Sequence, residues 1–567
     1  MPPIVKLLAG STSALIGCAL LAGCATSPAA APEDAAITAL AGDPQALVAA
    51  AEQALDREDY VAAARIYREA AEADDDEMLA EEATRVAFEH HQTSEMYAAA
   101  SRWLELNPTN EEARRFAAFG ALRLYRIDAA TEHFDKLLGS VFINPQAGFL
   151  ALLPQWLEEE SRNAVTASLE GLVARYPDLG EARYALAQAA LRSDNVALAL
   201  ENAERARALS PYWSPAGMLL ARVQLANGQP TQALETARSV VERDGLAGNQ
   251  LELALIELAA GEEQAGRQAL ETLSGDAESA ASVERTLALL ALQEGDLDGA
   301  AERFEALLRQ GRYVYESLFN LGAIAESRGN DADAYELYAR VVGGDYAVTA
   351  QGRAARIKRE TESLQAALQH LEQFGESRPL YRLDMIAAQA ALLDGSGDSD
   401  AALAVLDAAI DRYPDSVSLR LQKSFLLERI GRARDSIEVL EALYEERPAD
   451  PVVMNALGYT LVDGTREYQR GYELIDAALE ESPDSGAILD SMGWALHKLR
   501  RNEEALEYLE RARERIADPE VDLHIGEVQW ALGRRDEAVA TWRAAAERFP
   551  DDEELRERLE RADRGSR

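Results

Sequence analysis

The stretch GAILDSMGWALHKLRRNEEALEYLERARERIADPEVDLHIGEVQWALGRRDEAVATWRAAAERFP, residues 486–550, decides how this chain folds. It contains one pattern twice. Gly493, Ala505, Leu509 and Ala512 return as Gly526, Ala538, Trp542 and Ala545, and Pro550 closes the second copy. A small residue sits midway along one helix-length run, and another opens the next run twelve positions on. Two antiparallel helices joined by a tight turn meet where any side chain beyond Cβ would hold them apart. The larger residues then fill the space toward the following pair.

The same spacing extends outward along the chain. It recurs at Gly322, Ala334, Tyr338 and Val341, at Ala187, Ala199, Ala203, Ala206 and Pro211, and at Ala51, Ala63, Tyr67 and Ala70. Runs end on Pro177, Pro211, Pro414, Pro448, Pro483 and Pro550, where proline is tolerated between helices. Turn chemistry stands between paired runs, as in Gly295-Asp296, Gly329-Asn330 and Leu532-Gly533. The period is about 34 residues, and the phased recurrence resembles the tetratricopeptide repeat. About fifteen windows of that length fit, of which roughly eleven to thirteen keep the signature.

The expectation is therefore an all-α solenoid, a right-handed superhelix of helix–turn–helix pairs. Repeats over 44–246 lead into degenerate ones over 247–380. Further repeats over 381–567 close with a capping helix near Arg556–Arg567. The windows around Gly248–Gly275 and Gly343–Pro379 lack the closing proline. They read as a change of pitch, a hinge, or ordinary drift in a structural repeat.

The first residues bear on the compartment. Lys6 precedes an apolar stretch, Leu7–Leu21, that is too short to span a bilayer, so residues 1–23 read as a cleaved export signal. Leu21-Ala22-Gly23-Cys24 resembles a bacterial lipobox. That resemblance implies a covalent lipid on Cys24, a tether over 24–43, and no other cofactor. Ala25 follows where an inner-membrane lipoprotein of enteric type carries Asp, so the outer membrane, periplasmic side, is expected. The only other cysteine, Cys18, leaves with the signal, so stability must come from packing.

The net charge of −42 argues against nucleic acid and anionic lipid headgroups as partners. No enzyme is expected. The six histidines, His90, His91, His133, His370, His497 and His524, lack metal-ligand spacing, and adjacent His90-His91 reads as a surface pair. Neither a phosphate-binding G-x-x-x-x-G-K nor a G-x-S-x-G elbow occurs. Asp394–Asp400 has the look of a calcium loop, but its sixth position is not Gly and its twelfth is Val405. A polar inter-helix turn is the expectation there, as a solvated turn is for Asp74-Asp75-Asp76-Glu77.

Three blocks carry a narrower resemblance: NALGYTLVD (Asn455–Asp463), AILDSMGWALHKL (Ala487–Leu499) and DPEVDLHIGEVQWALGRRDEAVATW (Asp518–Trp542). Together with the lipobox they are similar to a proteobacterial family of tetratricopeptide lipoproteins, the LbcA type. The resemblance implies an outer-membrane adaptor. Its partners would be a periplasmic carboxyl-terminal processing protease and the peptidoglycan hydrolases that protease degrades. A regulator of peptidoglycan synthesis or of envelope assembly is the alternative. In the repeat family the first helix of each pair lines a concave face. Phase taken from Gly458, Gly493 and Gly526 assigns Asn455, Tyr459, Asp490, Trp494, His497, Lys498, Glu527 and Trp530 to that face. Two readings stand for Trp494 and Tyr459: contact with a partner, or packing between adjacent repeats.

Overall fold

The computed structural model describes residues 42–140, 143–275, 279–550 and 552–565. The signal 1–23, with Leu21, Ala22 and Gly23, lies outside the described residues, as do Cys24 and nearly all of the 24–43 tether. The described residues form 31 α-helices and one short 3-10 turn, with no strand among them. No helix among them is long and apolar enough to cross a membrane. The helices follow one another in tandem, and in the weakly marked windows Ala247–Ala259 packs on Glu263–Leu273 and Ala347–Thr361 on Leu364–Ser377, so these windows pair as well. Two second helices in the middle are short, Glu263–Leu273 and Asp331–Ala339.

Local chemistry sets the helix ends. Asp59 accepts a hydrogen bond from the Ala62 amide at 3.1 Å, and Asp296 from the Gly299 amide at 2.9 Å, each satisfying a free donor in a first turn. Gly295, Gly329 and Gly533 take left-handed φ values of +77°, +70° and +81° at the corners inside pairs. Asp76 caps Met78 at 2.9 Å and Asp75 pairs with Arg102 at 2.8 Å, so that acidic run is a turn with structural duties. Asp394 is buried, pairs with Arg429 and accepts from Ser399 Oγ at 2.6 Å, while Asp398 caps Ala401 at 3.0 Å.

The repeated spacing has its expected packing cause. A Cβ placed on Gly493 would sit 2.5 Å from Leu509 Cγ and 3.0 Å from the Ala505 carbonyl oxygen. On Gly458 it would lie 2.7 Å from Ile475 Cγ1, on Gly322 2.8 Å from the Tyr338 ring, and on Gly526 inside the Trp542 indole. Ala505, Leu509, Ala512, Ala538 and Ala545 are fully buried, as are Ala199, Ala203 and Ala206. The last helix, Glu553–Gly565, buries Leu555 and Ala562 against Leu523, Ala538 and Trp542, closing the apolar stack.

The residues divide into two compact units. One joins Ala117–Asn202 to Gly431–Arg567; the other joins the described part of Pro2–Phe116 to Ala203–Ile430. Each unit thus brings together stretches far apart in sequence. In the first, Asp484 accepts from the Val196 amide at 3.1 Å, and its own amide donates to the Asp194 carbonyl at 3.0 Å. Ser482 donates to Asn163 Oδ1 at 3.2 Å, and Arg447 donates to the Arg123 carbonyl. In the second, Asp415 accepts from the Ser94 amide at 2.7 Å and from its hydroxyl at 2.6 Å. Gln92 donates to the Arg412 carbonyl at 2.8 Å, and Arg412 pairs with Glu58 at 3.2 Å. His90 and His91 belong to this seam and are not the free surface pair their adjacency suggested. His90 stacks on Tyr60 at 4.0 Å, and His91 Nε2 lies 3.1 Å from the Pro379 carbonyl oxygen. Burial, with Arg382 and Arg412 nearby, holds the His90 pKa below its ordinary value.

Candidate protein-binding face

Three helices carry the residues singled out by phase: Pro451–Gly464, Gly486–Lys498 and Pro519–Ala531. Each is the first helix of its pair, and all belong to the unit containing Gly431–Arg567. Asp450 caps the first through Val452 at 3.0 Å and Asp518 caps the third through Glu520 at 2.9 Å, with proline at the first helical position in both. Gly458, Gly493 and Gly526 turn toward the second helices of their pairs, leaving another face for longer side chains.

That face is a chain of contacts running across the three helices. The Trp494 indole N–H donates to Asp463 at 2.9 Å, and Lys498 binds the same carboxylate at 3.2 Å while lying 4.3 Å above the Trp494 ring. Trp494 stacks on His524 of the next repeat at 4.1 Å and on His497 at 5.1 Å. His524 Nδ1 lies 3.0 Å from Asp490 Oδ1 and 3.1 Å from Oδ2. Tyr459 donates to Glu520 at 2.6 Å, passing over the intervening helix. His497 Nδ1 lies 2.9 Å from Asn502 Oδ1, whereas Asn455 Oδ1 is buried without a hydrogen-bond partner.

The electrostatics follow from that burial. Burial alone would strip His524 of its proton, but the Asp490 carboxylate against it wins and raises its pKa to about 9. The imidazolium–carboxylate pair is therefore charged at neutral pH, within a structure that excludes water from both partners. Burial pushes the Glu520 carboxyl above the usual range, and burial with Glu520 beside it pushes the Tyr459 phenol well up. Burial lowers His497.

Trp494 and Asp490 are each 7% exposed, so both spend their surface holding adjacent repeats together. Tyr459, His497 and Lys498 are half-buried. Glu527 and Trp530 stand apart from this chain of contacts. Glu527 pairs with Arg558 of the last helix, and Trp530 stacks on Trp542 at 5.9 Å with Arg535 5.1 Å from its ring. Glu527, Trp530, Trp542, Arg558, Arg561 and Ala562 line a cavity of about 220 Å³. His524, Asp463 and Glu520 were not singled out from the sequence, although they complete the arrangement. The available signal was Asp490 and His524, separated by one full period. Among the described residues no group of three or more His, Cys, Asp or Glu is placed to hold a metal ion.

Comparison with known families agrees with the packing. A tetratricopeptide-repeat family model matches residues 285–347 and 387–451, and a second tetratricopeptide-repeat model matches residues 520–552. Over those three segments the chain is similar to tetratricopeptide repeats. The TPR repeat-containing protein PA4667 of Pseudomonas aeruginosa is 31% identical over 209 residues, covering 37% of this chain and 35% of that protein. The match therefore spans about a third of that relative's length. Solved structures with similarity include a thermophilic tetratricopeptide protein of Thermus thermophilus, with 21% identity and a TM-score of 0.29 over 31% of this chain and 96% of that one. Yeast Tom70 aligns with 12% identity and a TM-score of 0.33, over 92% of this chain and 96% of that one. In tetratricopeptide terms, the match at 520–552 contains His524, Glu527, Trp530 and Trp542. That repeat therefore supplies the histidine of the buried pair and part of the wall of the cavity. A chain of this repeat is a scaffold for protein–protein interaction.

Proposed function

We propose that this scaffold is an outer-membrane-anchored adaptor, held by lipid on Cys24, which binds a periplasmic carboxyl-terminal processing protease and presents peptidoglycan hydrolases to it for degradation. The observation that carries this reading is the run from Asn455 to Trp542. There the three sequence blocks of the LbcA-type lipoproteins coincide with three first helices whose aromatic and charged side chains are ordered by one another. Ordered aromatics with polar neighbours suit protein recognition, because little side-chain entropy remains to be lost on binding. The acidic balance of the chain favours basic partners.

The test is capture of periplasmic proteins by the mature chain with Cys24 replaced, followed by a degradation assay with purified components. Recovery of a carboxyl-terminal processing protease together with wall hydrolases, and faster hydrolase loss when the chain is added, is the expected result. Recovery of a peptidoglycan synthase or an envelope-assembly factor, without protease or hydrolase, would overturn it. Tyr459→Phe with Lys498→Ala leaves the Trp494–His524 stack in place and tests the face itself. Weaker capture at unchanged helicity is expected, and unchanged capture would move the binding site elsewhere.

A further inference from the structure

The seam inside each unit has a common construction. An aspartate that follows a repeat-ending proline reaches the N-terminus of a helix roughly 300 residues away in the chain. Pro414-Asp415-Ser416 serves helix Thr93–Leu106, and Pro483-Asp484-Ser485 serves helix Val196–Leu209. Gln92, the residue before the first of these helices, makes no capping bond of its own, so Asp415 provides the cap from outside. A carboxylate at a helix N-terminus answers both the free amides and the positive end of the dipole. At the other polarity, Arg447 donates to the Arg123 carbonyl at a helix C-terminus, where a cation is favoured.

A second observation points to the same seams. Corners inside helix pairs take glycine at Gly228, Gly261, Gly295, Gly329, Gly431 and Gly533, all at positive φ. At the seams, as at Arg500 in the C-terminal repeats, the corner residues instead have side chains and accept the same left-handed backbone. Glu58 and His91 stand at φ +60° and +56° in one unit, Tyr125 and Asp194 at +56° and +55° in the other. A residue with a Cβ is strained there, and the strain is offset where its side chain is used. Glu58 pairs with Arg412, and His91 meets the Pro379 carbonyl.

The seam contacts are hydrogen bonds, ion pairs and ring contacts made by turn residues, in contrast to the close apolar contact of neighbouring helices. We propose that the two seams are clasps, which part and re-form while every repeat stays folded, so that each unit has a clasped and an unclasped state. This holds whatever protein the scaffold carries. Salt distinguishes the two kinds of contact, since it screens charged caps and pairs but leaves apolar packing intact.

Hydrogen exchange on the mature chain with Cys24 replaced decides it. Raising sodium chloride from about 0.05 M to about 0.5 M should speed exchange at the Ser94 and Val196 amides roughly 10-fold, with helix Gly486–Lys498 still protected and circular dichroism unchanged. Asp415→Ala should do the same at Ser94 alone, and Asp484→Ala at Val196 alone. Exchange that ignores salt and both alanine variants would overturn the proposal. So would a loss of helicity at the salt concentration that exposes Ser94, because the seam would then be part of the repeat fold. Should an alanine variant not fold, the salt series on the unaltered chain still decides.

Discussion

Arg175-Tyr176-Pro177-Asp178 and Arg412-Tyr413-Pro414-Asp415 are the same four residues at the same place after a second helix, and they do different things. In the first copy Arg175 and Tyr176 both turn back to Asp135, at 2.6 Å and 2.9 Å, one repeat earlier. In the second, Arg412 lies 4.4 Å from the Tyr60 ring and pairs with Glu58, Tyr413 meets the edge of His91, and Asp415 caps Ser94. One copy binds its neighbour and the other binds a stretch more than three hundred residues away. The difference separates two kinds of cohesion in this protein. Repeats adjacent in sequence are held by glycine-sized approach and buried side chains, with charge admitted only where it is paired. Stretches remote in sequence are held by turn ends.

If that division is right, the largest losses should come from the first kind. Gly526→Leu forces a side chain into the Trp542 indole, and should cost about 3 kcal/mol or more, read as early urea unfolding of the C-terminal repeats with the N-terminal ones unaffected. A loss below about 1 kcal/mol would mean that the glycine spacing reflects something other than packing.

His524→Gln comes next. The folded pKa of His524, about 9, lies above the ordinary histidine value, so the pair with Asp490 contributes its full stability below about pH 6.5 and loses it as pH rises through 9. The contribution is at most about 3 to 4 kcal/mol, and the variant should be less stable at pH 6 yet nearly level with the parent near pH 10. Parallel unfolding curves at both pH values would show that the histidine is not charged in the fold.

The two Arg-Tyr-Pro-Asp copies then allow a direct contrast. Arg175→Ala and Arg412→Ala should each cost about 1 kcal/mol or less, the ordinary range for partly exposed pairs and cation–ring contacts. They should differ in place: Arg175→Ala loosens only its own pair of repeats, whereas Arg412→Ala exposes amides near Glu58 and Gln92. Limited proteolysis with fragment mapping reads that difference, and identical maps would erase it. The smallest effect belongs to Asp415→Asn, which keeps a capping oxygen and loses the charge. About 0.5 kcal/mol is expected, detectable as faster exchange at Ser94 at low salt and vanishing at high salt.

Much of this was legible in the residues. The period, the pairing and the capping helix follow from small residues twelve positions apart and from prolines at run ends, because both report contacts between chain neighbours. The signature faded over Gly248–Gly275, where Glu263–Leu273 is short, and over Gly343–Pro379, yet the pairs there still form, since neighbouring helices supply the packing surface. Phase also found most of the aromatic face, including Tyr459, Trp494, His497 and Lys498. It could not rank them. Whether Trp494 faces a partner or a neighbour depends on how far one repeat is rotated against the next, and that rotation brings His524 under the indole.

The sequence by itself determined the helix–turn–helix unit, its length and the faces its helices bury, since each is governed by side-chain size and periodicity within one or two repeats. Only the tertiary structure decided that Asp490 and His524 form a buried ion pair, because their encounter needs the offset between repeats. It also decided which of two identical tetrapeptides reaches across the chain. The seam partner lies some three hundred residues away along the chain, and no residue near Asp415 encodes the position of Ser94. The missing glycine at His91 was visible in the residues; its reason lies in the carbonyl of Pro379, which the imidazole meets.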